Sequence, residues 1–591
     1  MVSARVNDVP PSHTLVRFGV FELDTESAEL RKQGVKIKLP EQPFQVLRVL
    51  LEHPGKIVSR EELQQRIWPA DTFVDFDRGL YNAINKLRES LGDSAESPRF
   101  IETLSRRGYR FVAPASGSVL QVGSTSSAFV PRDSIAVLPF INMSADPENE
   151  FFADGVTEEI INALAQLPQL HVVARSSAFS FKGKHVDPRV VGEQLKARTI
   201  LEGSVRRVGD SLRITAQLIN AADGFHLWSE RYDRQMKDIF EIQDEIARSI
   251  AGRLRVTLED QPREPLVKAG TKNLEAYSLH VKGRALLYRR GALLPVALEC
   301  FKQAVLVDPN YALAWAALAD AYTVLTLFGF VHPGTSRPKW GEAARNAVAA
   351  DPSLAEAHCA LAFGSLLFDW NKTDADREFV RALQLNPGYI QARDWYAFFY
   401  LQLASGRLAE GLAHAKLAFA SDPLSAYTNS VLSFAYSDAG EYADAVRSAE
   451  RAAELDSESF LAWGSLELGL LLSGRFEEAV AAGLSATAVS GRQALAMAML
   501  TVCLSYSDKT AEAETVYAEL EARASREYVL PTALACAAYA VGRLDDAIQH
   551  VKRALAIGDA SRCFLSSSWP YCARLRKNSE IDRMLRESGI P

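Results

Sequence analysis

The strongest constraint on this chain is a period. Gly406, Gly440 and Gly474 stand 34 residues apart, and Gly542 follows after twice that spacing, with Asp508 where the intervening glycine is due. Five residues after each opener comes a small residue: Gly411, Ala445, Ala479, Ala513 and Ala547. A turn glycine followed by a small residue lets two helices approach closely. A fixed period of this length therefore means stacked helix pairs sharing one continuous core. Successive repeats close on Asp308-Pro309, Asp351-Pro352, Asn386-Pro387 and Asp422-Pro423, and a proline just past a helix cannot continue it. The pattern departs in two places. Over residues 328–340 an insertion stretches one spacing to 43, and after Arg562 no repeat can be placed.

The helices that follow these closures carry Trp315, Leu318 and Tyr322, then Leu432 and Tyr436, then Trp463 and Leu466. With the turn positions, they make residues 270–590 resemble the tetratricopeptide repeat family. The resemblance implies an all-α solenoid whose concave groove receives a protein or peptide partner.

A chain of 591 residues exceeds what one hydrophobic core usually supports, so further domains are expected ahead of the repeats. Residues 15–114 read as a small helical segment flanked by strands. The Ser/Gly-rich stretch ASGSVLQVGSTSSAF places a flexible linker at 115–132. Residues 133–262 alternate strand-like IAVLPF, helix-like GVTEEIINALAQL, strand-like LHVVA, helix-like VVGEQLKA and β-rich LEGSVRRVGDSLRITAQLI, the pattern of a compact α/β domain. The expected fold class is multidomain α+β: a helical head with strands, a small α/β middle domain and an all-α solenoid. No run of about 18 apolar residues occurs, and the start lacks a secretory core, so no membrane span is expected and the chain should stay in the cytoplasm.

The formal charge is −7, so any nucleic-acid contact must come from a local basic surface. One such surface lies in the head. A helix beginning near Pro40 carries Phe44, Val46, Leu47, Leu50 and Leu51, and Leu63, Ile67 and Trp68 give a second apolar face. Across RGLYNAINKLRESLGD, Leu80, Ile84, Leu87 and Leu91 recur at helical spacing and face the core. Arg78, Tyr81, Asn82, Asn85, Lys86 and Arg88 are left on or near the outer face. Amides and cationic groups on an exposed helix supply donors to base edges and phosphates in a major groove. Then comes FIETLSRRGYRFV, a hairpin with a cationic tip at Arg106-Arg107. From Arg78 to Arg110, seven basic residues face four acidic ones, a net of +3.

The segments PFQVLRVLLEHPGKIVSREELQQRIWP, LYNAINKLRESLGD and IETLSRRGYRF closely resemble the winged helix-turn-helix output domain of OmpR/PhoB-type response regulators. The resemblance implies that Asn85 and Lys86 read bases, that Arg88 holds phosphate, and that Arg106 and Arg107 form a wing tip reaching the minor groove or backbone. It places the loop that touches RNA polymerase at residues 70–77. That loop is acidic and aromatic here, and Asn85 stands where arginine is common. Only fourteen residues precede Leu15, so no phosphoacceptor receiver is expected in front, and the order of domains is similar to CadC-like one-component regulators without their membrane span.

The middle stretch resembles the TolB-type N-terminal α/β domain through IAVLPF, FFADGVTEEI and LEGSVRRVGDSLRI. Such a likeness speaks to fold rather than activity. Asp154 or Thr157 is expected as a helix N-cap. Glu158 and Glu159, neighbours on a helix, point about 100° apart and make a poor acid/base pair. His171, His185 and His226 lack metal-ligand spacing, and there is no G-x-S-x-G, P-loop or G-x-G-x-x-G. The six cysteines lie in the C-terminal half without a C-x-x-C pair and read as buried free thiols. No catalytic residue, cofactor or metal is expected. The reading is a transcription regulator that binds double-stranded promoter DNA through its head, singly or as a dimer, and takes a signal through its repeats. The rival reading is a scaffold built on the repeats that does not bind DNA.

Overall fold

The protein is described by a computed structural model. It covers residues 15–116, 134–254 and 270–590, apart from 19–20, 25–28, 33–34, 38, 53–56, 61–62, 64–66, 68–75, 95–97, 105–107, 114, 147–148, 166, 168–169, 185 and 290–292. The chain forms two compact units, Met1–Phe129 and Val130–Pro591.

In the first unit, strands β1 (Leu15–Phe18), β2 (Phe21–Asp24), β3 (Glu29–Lys32) and β4 (Val35–Ile37) form an antiparallel sheet, to which β8 (Ala115–Ser116) adds beside β1. The sheet thus extends two residues into the stretch expected to be linker. Helices α1 (Glu41–Glu52) and α2 (Phe76–Leu91) pack with a second sheet of order β5 (Ile57–Val58), β7 (Gly108–Phe111), β6 (Ile101–Leu104). Phe44, Val46, Leu47, Leu50, Leu51, Leu63, Leu80, Ile84, Leu87 and Leu91 all lie in one core with an aromatic cluster of Phe18, Phe21, Phe100 and Phe111. Ile67 packs at its margin, while Trp68 falls outside the described residues.

The second unit opens with a mixed sheet of order β11 (His171–Val172), β9 (Ser134–Val137), β12 (Thr199–Val208), β13 (Ser211–Asn220), β14 (His226–Gln235). The first three strands are parallel and the last three an antiparallel meander, with β10 (Ile141–Asn142) beside β12. Helices α3 (Asn149–Ala165), α4 (Arg175–Phe179), α5 (Pro188–Leu195) and α6 (Ile239–Arg253) complete this α/β layer. The expected N-caps are corrected here. The helix starts at Asn149, placing Asp154 and Thr157 inside it, because Phe152 and Ala153 already enter the core. Asp154 pairs with Lys182 at 2.6 Å, and Thr157 bonds the Ala153 carbonyl while accepting from the Phe140 N–H.

The repeats follow as helix pairs: α7 (Leu274–Arg289) with α8 (Leu294–Val307), α9 (Ala312–Leu327) with α10 (Pro333–Ala350), and α11 (Ala355–Leu367) with α12 (Lys372–Leu385). Then come α13 (Ile390–Trp395, continuing as a π-helix over Tyr396–Ala404) with α14 (Leu408–Ser421), and α15 (Ala426–Asp438) with α16 (Tyr442–Leu455). The last are α17 (Phe460–Leu472) with α18 (Phe476–Val489), α19 (Ala494–Tyr506) with α20 (Thr510–Ala524), and α21 (Pro531–Ala540) with α22 (Leu544–Ile557). The turn openers Gly406, Gly440, Gly474 and Gly542 have φ between 68° and 81°, and Asp508 adopts φ 57° in the glycine's place, a conformation Asp tolerates better than most side chains. Ala445, Ala479, Ala513 and Ala547 are fully buried. After each closure a side chain hydrogen-bonds six residues back: Trp315 to the Pro309 carbonyl, His358 to Pro352, Arg393 to Pro387, Asn429 to Pro423 and Trp463 to Ser457.

The two helices of a pair differ in kind. In α16 the buried residues Ala445, Val446, Ala449, Ala452 and Ala453 make one stripe, as a helix facing solvent on its other side should. In α9 fourteen of sixteen residues are buried, so that helix is enclosed on every face. The enclosure comes from both irregular stretches. Residues 328–332 reach across the array: the Phe328 ring meets Phe460 at 5.2 Å, Gln493 Nε2 donates to the Phe328 carbonyl, and the His332 ring meets Tyr528 at 5.0 Å. Past Gly558 the chain turns back as a 3-10 helix (Ala560–Ser566) against α9, α11, α13 and α21, then as α23 (Pro570–Ala573) against α19 and α21. A terminal helix, α24 (Ser579–Glu587), packs on α22. The groove expected to hold a partner is therefore filled by the chain itself.

The middle layer docks on the array without a break in packing. Tyr277 and Val281 of α7 belong to the core of the middle layer, and Glu158 pairs with Arg175 at 3.2 Å and Arg284 at 2.5 Å. At most closures the acidic or amide side chain caps its own turn, as Asp308, Asp351, Asn386 and Asp456 do. Asp422 instead accepts from the Ser177 N–H and hydroxyl and from the Ser176 hydroxyl.

Replacing Asp422 by Ala leaves the buried Ser177 N–H and hydroxyl, and the exposed Ser176 hydroxyl, without this acceptor. It should cost about 2–4 kcal/mol in urea unfolding, against less than about 1 kcal/mol for Asp456→Ala, whose bond is exposed. Glu467 is fully buried on α17, and burial pushes its carboxyl up to about 8 from 4.5. A folded-state value above the unfolded one contributes stability at low pH that is lost as pH rises between those values. Glu467→Gln should therefore match wild type near pH 4.5 and become progressively the more stable toward pH 8 in paired urea titrations.

Candidate nucleic-acid interface

The outer face of α2 is set by the helix period. With Leu80, Ile84, Leu87 and Leu91 fixed in the core, Tyr81, Asn82, Asn85, Lys86 and Glu89 are exposed, Tyr81 at 61%. The helix ends at Gly92, φ 65°, where a side chain would be strained. Asp93 then accepts from the backbone N–H groups of Arg99, Phe100 and Ile101 at 2.7–3.3 Å, tying the end of α2 to the start of β6. Gly108 is required for a different reason. Its φ is 131°, and a Cβ there would lie 2.0 Å from the Val58 carbonyl oxygen, so only glycine lets β7 lie against β5.

Arg88 is corrected. It was expected on or near the outer face, holding phosphate, but it is 8% exposed, and its Nη2 donates to the Ile101 carbonyl at 2.9 Å and to Thr103 Oγ1 at 2.8 Å. Arg88 thus joins the helix to the hairpin. Glu102 and Arg110, paired across β6 and β7, stiffen the same hairpin, with Nε to Oε2 at 2.8 Å. Arg78 lies in α2, but its side chain is outside the described residues, as are Arg106 and Arg107 and residues 70–75. Among the expected residues the structure thus brings Tyr81, Asn82, Asn85 and Lys86 onto one exposed face. Sequence reasoning missed Asp93 and Gly108. The Gly-Asp pair after the last apolar residue of α2 and the Arg-Gly at the hairpin were the available signals.

A solvent-facing polar helix braced against a β-hairpin gives the head the form of a winged-helix domain. Residues 34–111 match the family "Transcriptional regulatory protein, C terminal", and residues 131–249 match "HilA/YgeH-like transcriptional regulator, second domain". Among individual proteins, the chain is 44% identical over 202 residues to "Putative adenylate cyclase 3" of Rhizobium meliloti (strain 1021), covering 34% of each chain. It is 26% identical over 390 residues to "Transcriptional regulator HilA" of Salmonella paratyphi A (strain ATCC 9150 / SARB42), covering 61% of this chain and 65% of that one. The chain thus spans about a third of the first relative's length and just under two thirds of the second's. The Klebsiella pneumoniae RstA DNA-binding domain, solved in complex with the RstA box, is 30% identical with a TM-score of 0.16, covering 17% of this chain and 98% of that one. Among the described residues no helix is long and apolar enough to cross a membrane, and no group of three His, Cys, Asp or Glu side chains is placed to hold a metal ion.

Replacing Arg88 by Ala leaves the Ile101 carbonyl and Thr103 hydroxyl without their donor. It should lower the stability of the first unit by about 1–3 kcal/mol, read as a shift in its urea midpoint. Lys86→Ala, exposed on the same helix, should stay within about 0.5 kcal/mol of wild type.

Proposed function

We propose that the chain is a sequence-specific DNA-binding transcription regulator. In this reading α2 enters the major groove of double-stranded promoter DNA, and the β6–β7 hairpin lies on the adjacent minor groove or backbone. The observation that carries it is the exposed face of Tyr81, Asn82, Asn85 and Lys86 on a helix inside a segment that matches a transcription-regulator family. Asn85 can bond an adenine edge with both ends of its amide, and Lys86 can donate to a guanine edge or a phosphate. Arg78, Arg106 and Arg107 add positive charge at the helix start and wing tip, where it would hold backbone phosphates. Arg88 acts by holding helix and wing in one geometry rather than by touching DNA.

The name of the Rhizobium relative suggests an enzyme, but two thirds of that protein lies outside the shared segment. Both family matches within this chain are to transcription regulators, which favours the regulator reading. Contact with RNA polymerase through residues 70–77, pairing of two heads on DNA, and a protein partner for the repeats belong to the same proposal. A partner of the repeats would engage outer helices such as α16, because the inner face is filled.

Selection of the full chain against a randomised duplex pool at two salt concentrations tests this reading. The expected outcome is an enriched motif whose affinity falls as salt rises. Asn85→Ala should relax one position of the motif by about 1–3 kcal/mol. Lys86→Ala should weaken binding or flatten the salt dependence by about one counterion. No enrichment at either salt, for the full chain and for residues 1–116 alike, would sink the proposal and leave the scaffold reading.

A further inference from the structure

Where the returning C-terminal segment meets the array, the packing leaves a void. A cavity of about 60 Å³ lies among Phe398, Phe434, Phe460, Met499, Trp569 and Tyr571, and a second of about 30 Å³ shares Phe398, Phe434, Leu461, Leu495 and Phe564 with it. The larger exposes no polar atom on its wall. Its rings are fixed by their neighbours: Trp569 stacks on Phe398 at 5.8 Å and packs on Phe434 at 5.1 Å, while its Nε1 is bound to Asp438 Oδ1 at 2.6 Å and so is turned to another partner. A water molecule needs two to four polar partners to occupy a buried site, and an apolar cavity of about 150 Å³ stays dry and takes up benzene, so a ring enters this smaller one as its wall gives way.

We propose that this cavity is a binding site for a small, uncharged apolar molecule, a single aromatic ring or a short alkyl chain. The wall selects that chemistry. A charged or strongly hydrogen-bonding ligand would lose its hydration and find no partner, whereas an aromatic guest gains edge and face contacts from the surrounding rings. Met499 gives the wall the freedom to enlarge, since an unbranched thioether repacks at low cost. The wall is built from two sources, helices α13, α15, α17, α18, α19 and α21 on one side and the segment carrying Phe564, Trp569 and Tyr571 on the other. A guest therefore touches both, and its binding stabilises the closed position of residues 560–590 over any open one.

The test uses the full chain with fluorobenzene as probe, following its fluorine resonance during titration and amide hydrogen exchange over residues 560–590. The expected result is saturable binding in the millimolar range or tighter, with exchange in 560–590 slowed in the presence of probe. Ala498 is in the wall and 2% exposed, and Ala498→Leu should fill the cavity and weaken binding at least tenfold. Met499→Ala, which enlarges the cavity, should retain the probe and admit naphthalene, and this variant decides the matter if Ala498→Leu does not fold. Absence of saturable binding up to the solubility of the probe would overturn the proposal. So would binding that neither variant alters, or binding that leaves exchange in 560–590 unchanged. None of these readouts involves DNA, so their failure and the failure of the regulator reading are separable.

Discussion

A helix with one apolar stripe needs one neighbour, but a helix apolar on every face must be enclosed, and the second unit is built around that requirement. The first helices of successive repeats are of the enclosed kind: α9, α11, α15, α19 and α21 bury most of their residues. Stacking on neighbouring pairs covers their sides, yet the inner face of an open solenoid would remain in water. Covering those faces removes apolar surface from water at roughly 25 cal/mol per Å², which offsets the cost of ordering the residues that cover them. The return of the chain after Gly558 and the reach of residues 328–332 both follow from that balance. So does the backbone at Trp370, which adopts φ 52°, a conformation a bulky residue rarely takes. Its indole donates to the Gly589 carbonyl and lies under Arg562, so the strain is offset where the tail is anchored.

The same repeat chemistry is used differently where the middle layer docks. Most closures spend their Asp or Asn side chain on their own turn, which makes each repeat self-contained. Asp422 turns outward to Ser176 and Ser177, and burial raises its carboxyl above the usual range while those three donors hold it down. Nearby, Glu158 is satisfied by two arginines, whereas its neighbour Glu159 is pushed up to about 8 by burial and by the Glu158 charge. Ion pairs that join the middle layer to the first repeat helix in this way suit a fixed interface.

Much of this was legible in the sequence because period and turn chemistry are local. The 34-residue spacing located the turns, and Asp508 stands with positive φ where an absent glycine was inferred. The core of the head followed from helical spacing. Arg88 was misplaced because residue type outweighed geometry. At 100° per residue it lies about 60–70° from the centre of the stripe formed by Leu80, Ile84, Leu87 and Leu91, at its edge rather than opposite it, and a long side chain at an edge can reach a neighbouring strand. Asp154 and Thr157 were misjudged as caps because a polar residue ahead of an apolar run looks the same whether or not the helix began one turn earlier. Closure of the array was not legible at all. It depends on contacts such as Phe328 with Phe460 and Trp569 with Phe398, separated by more than a hundred residues and marked in sequence only as places where the repeat fails.

Closure also changes what signal input through the repeats can mean. An open groove binds a peptide on a preformed surface, but a filled groove can accept one only from the fraction of molecules in which the tail has left, so the apparent affinity falls by that fraction. Expelling the tail would re-expose enclosed helices along its whole path, and a peptide would have to replace Trp569, Phe564 and Tyr571 with groups of comparable apolar area. Two routes avoid that cost. A protein can engage the outer helices, whose polar faces are already in water, and a guest small enough for the void can bind with the tail in place. The first leaves the closed form unchanged, while the second strengthens it. Any coupling between such a guest and an outer partner must then run through how firmly the tail holds the two ends of the array together, and by linkage each would alter the affinity of the other to the same degree.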